Sequence, residues 1–207
     1  MKKEIILLLS LMFFGCQNEK NDIRIIDFVP KDPLVLIKYE SNTVKEKFNQ
    51  NFNNLINIKN DSVLKNYGKG EVLISYHKIG KKNIIPIYFT SLENKNVEID
   101  EIIDTIFYAG SLIKRIGNEK NYKFTTQKNN FHIESKSKLL VENSIRKTNQ
   151  VFKTNISELG KLYNISNSEI VLFISDNFND YLENKNLFSF FNIKKLSNWI
   201  QYDIDLS

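Results

Sequence analysis

The 207-residue chain contains a single cysteine, Cys16, so no internal disulfide can staple its fold and an apolar core has to hold it together. Cys16 follows Gly15 at the end of an apolar run from Ile5 to Phe14, and Lys2 and Lys3 precede that run. Basic residues, a short apolar stretch and a small residue ahead of a cysteine form the pattern of a bacterial lipoprotein signal. Cleavage would leave Cys16 as a lipidated N-terminus. The run would reach only about 15 Å as a helix, against roughly 30 Å of bilayer hydrocarbon, so a permanent transmembrane helix is not expected. Phe14 stands where such signals usually hold a small residue, a departure met in looser signals. Each buried methylene of an acyl chain contributes about 0.8 kcal/mol, and two or more chains hold stably where one does not. The partner expected through acylated Cys16 is therefore a lipid bilayer.

Residues 17–22 read Gln-Asn-Glu-Lys-Asn-Asp, with no apolar side chain, and are expected to form a solvated tether. The organisation expected is a signal peptide over 1–15, a tether over 16–22 and a folded α+β domain over 23–207. Seven glycines and three prolines leave no flexible linker to divide that domain. The formal charge of +5 comes from a chain with 26 lysines, three arginines, 28 asparagines and 28 isoleucines, the signature of AT-rich codons. Spread along the chain and poor in arginine, that charge predicts a solvated surface and no nucleic-acid partner.

Ile23 to Val29 is expected as a short strand, followed by a break at Pro30-Lys31-Asp32-Pro33 and a strand from Leu34 to Tyr39. Ser41 or Asn42 is placed to cap a helix with Val44, Phe48, Phe52 and Leu55 on one face, and a shorter helix is expected over 61–67. Glu71 to Ile79 and Asn83 to Thr90 flank Gly80-Lys81-Lys82 and predict a β-hairpin. A short helix over 97–104 is expected next. Strands follow at Thr105–Tyr108, Leu112–Ile116, Tyr122–Gln127 and Phe131–Ser135, the last two joined by a turn at Asn129-Asn130. Lys138–Lys147 and Ile156–Tyr163 read as helices, and Glu169–Ser175 as an apolar strand before a capped helix at Asp176 or Asn177. Strict alternation of Ile200, Tyr202, Ile204 and Leu206 predicts a final strand with one buried face.

The fold class expected is α+β: a mainly antiparallel sheet with helices packed on one face. Leu34-Val35-Leu36-Ile37 and Ile170-Val171-Leu172-Phe173 each precede a cap and a phenylalanine-bearing helix, which raises a duplicated unit as an option, its second copy starting near residue 120 and incomplete. A chain ending within a strand either inserts that strand into a sheet already built or is the front part of a longer protein, and the second reading is favoured.

The chemistry-bearing residues form no motif. His77 and His132 are the only histidines, 55 residues apart and on separate expected strands, which excludes a local histidine metal pair. Asp100, Glu101 and Asp104 are the densest acidic group, without the further oxygen donors that calcium or paired-carboxylate catalysis requires. No Gly-x-Ser-x-Gly elbow or phosphate-cradling glycine loop is present. No catalytic, cofactor-binding or metal residues are therefore assigned. Phe188, Phe190, Phe191 and Trp199 form the most aromatic stretch and are the candidates for a ligand or partner surface, with core packing as the alternative.

The lipoprotein start, the Phe28-Val29-Pro30 lead into a Leu-Val-Leu-Ile strand, the segment from Ser137 to Arg146, and Trp199 to Leu206 together resemble the N-terminal part of large, uncharacterised Bacteroidota lipoproteins, such as those of flavobacteria. The resemblance implies a cell-envelope location, lipid-anchored at the outer membrane. Glu19 and Asp22 close behind the cysteine resemble the surface-export signals of that group. The function expected is non-catalytic binding or scaffolding of an envelope protein partner. A carrier of a lipid or other apolar ligand, and an extracytoplasmic hydrolase using His77 or His132 beside carboxylates, are the alternatives.

Overall fold

The computed structural model describes residues 23–40, 45–55, 70–81, 83–92, 101–146, 155–165, 168–178 and 198–204. Cys16, the tether, the helix expected over 61–67, and Phe188, Phe190 and Phe191 lie outside the described residues.

Alternating and apolar runs between turn residues become nine strands: β1 (Val35–Tyr39), β2 (Val72–Ile79), β3 (Asn83–Ser91), β4 (Ile102–Tyr108), β5 (Ser111–Gly117), β6 (Tyr122–Lys128), β7 (Phe131–Ser135), β8 (Ile170–Ser175) and β9 (Trp199–Ile204). They join in one sheet, ordered β4-β5-β6-β7-β3-β2-β1-β8-β9, with every neighbouring pair antiparallel. The fold is thus α+β and mainly antiparallel sheet, as the sequence predicts. Among the described residues three helices accompany the sheet: α1 (Lys45–Leu55), α2 (Lys138–Ile145) and α3 (Asn155–Tyr163).

The centre of the sheet is buried on both sides, and strand alternation sorts its side chains into two cores. Leu36, Leu73, Ile87, Phe89, Ile133 and Phe173 face a core closed by a 3-10 turn (Ile25–Phe28), by Leu140, Val141 and Ile145 of α2, and by Leu159 and Tyr163 of α3. Val35, Ile37, Tyr39, Val72, Ile74, Tyr76 and Tyr88 face a second core, closed in part by Phe52 of α1 and by Phe178. Phe52 meets the Tyr76 ring at 5.3 Å and Phe48 meets Tyr39 edge-on at 6.3 Å, so α1 lies on the face opposite α2 and α3. That double cover explains why β1 is buried along its whole length.

Two local expectations are corrected. Ile25–Phe28 forms a 3-10 turn, not a strand: the Arg24 amide donates to Asp27 Oδ2 at 2.8 Å, closing the turn with a carboxylate three residues on. Ile102, Ile103 and Asp104 belong to β4, not to a helix, and a register shift between Ile102 and Asp104 absorbs one extra residue. Glu101, just before β4, accepts from the Gly117 amide at 3.0 Å, and residues 97–100 of that expected helix, including Asp100, lie outside the described residues. The expected hairpin is found with its register running from Val72↔Thr90 to Ile79↔Asn83. The two look-alike segments, β1 and β8, lie side by side and pair antiparallel, Val35 opposite Ile174 and Tyr39 opposite Ile170. β9 joins the sheet by pairing with β8, and Tyr202 and Ile204 pack on the second core.

Candidate functional site

Polar chemistry collects in two clefts on the α2–α3 side of the sheet. The first, about 530 Å³, is bounded by Arg24 and Ile25, by Lys38 and Glu71 from the sheet, and by Tyr163 at the end of α3. Lys38 is the one charged residue in the buried β1, and burial of an ammonium requires partners. It finds Glu40 Oε1 at 2.6 Å and lies 5.1 Å from the centre of the Tyr163 ring. The Tyr163 hydroxyl donates to Glu71 Oε1. Burial, and then the charge and hydrogen bond of Glu71, push the Tyr163 phenol far above its ordinary pKa, so it remains a protonated donor. The Arg24 guanidinium pairs with Asp27 at 3.4 Å and crosses over Gly160 of α3, where a Cβ would come within 3.3 Å of Nη2. Glu71 has no cationic partner among the described residues.

The second cleft, about 410 Å³, lies between the Pro30–Pro33 turn, the end of β2 and α2. His77 forms part of its wall and is almost fully buried. Its Nε2 lies 2.7 Å from Ser75 Oγ, and the ring is also hydrogen-bonded to the main chain of Lys31. Burial lowers its pKa to about 3, against which the bond to Lys31 pulls upward. His77 is therefore a neutral pin between strand and turn. Lys31, Lys78 and Arg146 line the same cleft, and Arg146 Nε donates to Tyr108 Oη at 2.7 Å.

His132 takes the opposite face of the sheet, so the two histidines are not brought together. Its Nε2 is 3.1 Å from Glu134 Oε2, and Lys123 Nζ is 3.5 Å from the same oxygen. His132 and Glu134 are both 2% exposed. Asp104 lies on β4 opposite Arg115, and its carboxylate accepts from the Thr105 amide at 2.7 Å. Among the described residues no group of three His, Cys, Asp or Glu side chains is arranged to hold a metal ion.

A third feature is apolar and sits at the sheet margin. β4 is an outer strand, and Ile102 (52% exposed), Phe107 (76%) and Leu112 of the adjacent β5 (46%) are open to solvent. Phe107 and Leu112 stand opposite each other in the register, on one face. Of the four aromatic residues singled out in the sequence, Trp199 alone is described: it is half-buried in β9 and packs against the first core. Sequence reasoning missed Lys38, Glu71 and Tyr163. Lys38 carried a signal, a lone charge inside an apolar run of strand length, but Tyr163 and Glu71 are 92 residues apart and nothing local links them.

No protein-family model matches the chain, and neither does any curated protein or solved structure at a significant level.

Proposed function

We propose that the chain is a lipid-anchored protein of the bacterial cell envelope, moored at the outer membrane through acylated Cys16, whose folded body binds or scaffolds another envelope component without catalysis. The apolar margin of the sheet carries the binding part of this reading: Ile102 and Phe107 on an outer strand, with Leu112 beside them. Proteins usually protect outer strands with charge, proline or cover, and an open apolar strip on one is typical of a surface that receives a partner. The Lys-Lys, apolar run, Gly15-Cys16 sequence supports the anchor. Among the described residues no helix is long and apolar enough to cross a membrane.

The alternatives draw less support. A carrier of apolar ligands wants an apolar cavity, whereas both clefts present charged side chains in their walls. A hydrolase wants a histidine free to exchange protons beside a carboxylate at a cleft; His77 and Asp32 both line the second cleft, but the His77 ring is buried and bonded to Ser75 and the Lys31 main chain, and His132 and Glu134 touch but line neither cleft.

A photo-crosslinking residue placed at Phe107 of the full-length protein in its host tests the reading. A discrete adduct of higher mass from position 107, absent from position 120 in the exposed turn between β5 and β6, is expected. Equal labelling from both positions, or none from 107, would contradict a binding role for this margin.

A further inference from the structure

We propose that the cleft between the Pro30–Pro33 turn, the end of β2 and α2 is a binding site for a phosphate-bearing anion. Lys31 from the turn, Lys78 from β2 and Arg146 from the end of α2 border it, against a single carboxylate, Asp32, although strand alternation turns the Lys78 side chain toward the face opposite His77. None of the three forms an ion pair among the described residues. Lys31 and Arg146 are like charges at one cleft and raise its local positive potential, an arrangement that an oxyanion relieves.

Arg146 is held in position, and the backbone that carries Lys31 is fixed. Arg146 Nε is committed to Tyr108 Oη at 2.7 Å, which fixes the guanidinium plane and leaves its terminal nitrogens for a forked contact with two oxygens of one ligand. Lys31 stands on a turn whose backbone has little freedom. Pro30 and Pro33 fix their own φ angles, Asp32 holds a left-handed φ of 56°, and the buried His77 ring bonds the Lys31 main chain. Asn143, on α2 one turn before Arg146, adds an amide donor to the wall. A volume of about 410 Å³ exceeds what bare phosphate fills, and the half-exposed Leu139 offers an apolar wall for an organic substituent. The site touches β4 through Tyr108, whereas Phe107 and Leu112 face the other side of the sheet, and it does not depend on the anchor.

Such a group could come from free phosphate or from the headgroup of a phospholipid. Titration of the purified full chain, in micelles of an uncharged detergent, with inorganic phosphate and with dihexanoyl phosphatidylglycerol distinguishes them. Saturable binding is expected, weakened roughly tenfold by Arg146→Gln and by Lys31→Gln, in line with the loss of one charge-assisted hydrogen bond. Lys120→Gln, which removes the same charge from the turn between β5 and β6, should leave it unchanged. Tighter binding of the lipid than of phosphate identifies a headgroup site, and equal binding a phosphate site. Lys31 is exposed, so its substitution keeps the test valid even if Arg146→Gln disturbs α2. Saturation by neither ligand, or equal weakening by Lys120→Gln and Lys31→Gln, would overturn the proposal.

Discussion

His77 is the residue whose environment has the clearest consequence in solution. It is 3% exposed, bonded to Ser75 and to the Lys31 main chain, and its pKa falls from 6.5 to about 3. In the unfolded chain the imidazole takes up a proton near pH 6.5; in the folded chain it stays neutral until about pH 3. The unfolded state therefore binds more protons across that window, and stability falls as pH falls through it, by at most about 1.4 kcal/mol per pH unit from this group. Urea unfolding at pH 7, 5.5 and 4 should show a shallower acid decline for His77→Gln than for the unsubstituted protein. Identical slopes would mean that His77 is open to protons in the fold. Tyr39 and Tyr163 act at the other end of the scale: burial raises both phenols, so their contribution holds below pH 10 and is lost as pH rises beyond it. The placement of His77 on a strand was legible from its apolar neighbours Ile74 and Ile79. Its burial against the proline turn was not, because the contact depends on how that turn folds back over β2.

At the scale of elements, the turn between β4 and β5 carries a local strain that can be relieved. Ala109 (φ 48°) and Gly110 (φ 74°) both adopt left-handed backbone, the geometry of a tight hairpin turn. Glycine takes that conformation freely, whereas alanine gives up about 1 kcal/mol to a clash between its Cβ and backbone that asparagine partly escapes. Ala109→Asn should raise the urea midpoint by up to about 1 kcal/mol in unfolding free energy. A lower midpoint would show that the turn is set by its surroundings and not by its own chemistry. The sequence was readable wherever turn chemistry and alternation agreed. Gly80 between two apolar runs, and Asn129 with its φ of 52° between β6 and β7, both mark hairpins that the structure contains. It misled where an apolar run was too short to have a period. Ile25-Ile26-Asp27-Phe28 suits a strand by composition, and the signal for a turn was Asp27, placed to accept from the Arg24 amide. Around Ile102-Ile103 the helical spacing of Asp100 and Asp104 competed with two adjacent β-branched residues, and pairing with β5 decided for the strand.

At the scale of the molecule, the described residues build a nine-stranded sheet covered on both faces near its centre and open at the β4 margin. On the proposed function, that arrangement separates the residues that build the cores from those that would meet a partner. The buried strands β1, β2, β3 and β8 hold the cores, the charged clefts open toward α2 and α3, and the apolar strip sits at the far end of the sheet. The fold class was legible in the sequence because a run of strand-length segments joined by turn residues stands among a few helical ones. The clefts were not, because residues such as Glu71 and Tyr163 meet only through the complete sheet. On the proposed function, an acylated Cys16 would hold this body at a membrane surface, where a binding surface would act at high local concentration. The most direct test is metabolic labelling with radioactive palmitate in the native host, together with mass analysis of the mature N-terminus. The account predicts label on the protein, an acylated residue 16 as the first residue, and release of the unlabelled Cys16→Ser protein from the membrane fraction. Absence of label, with Cys16→Ser protein fractionating as before, would contradict it.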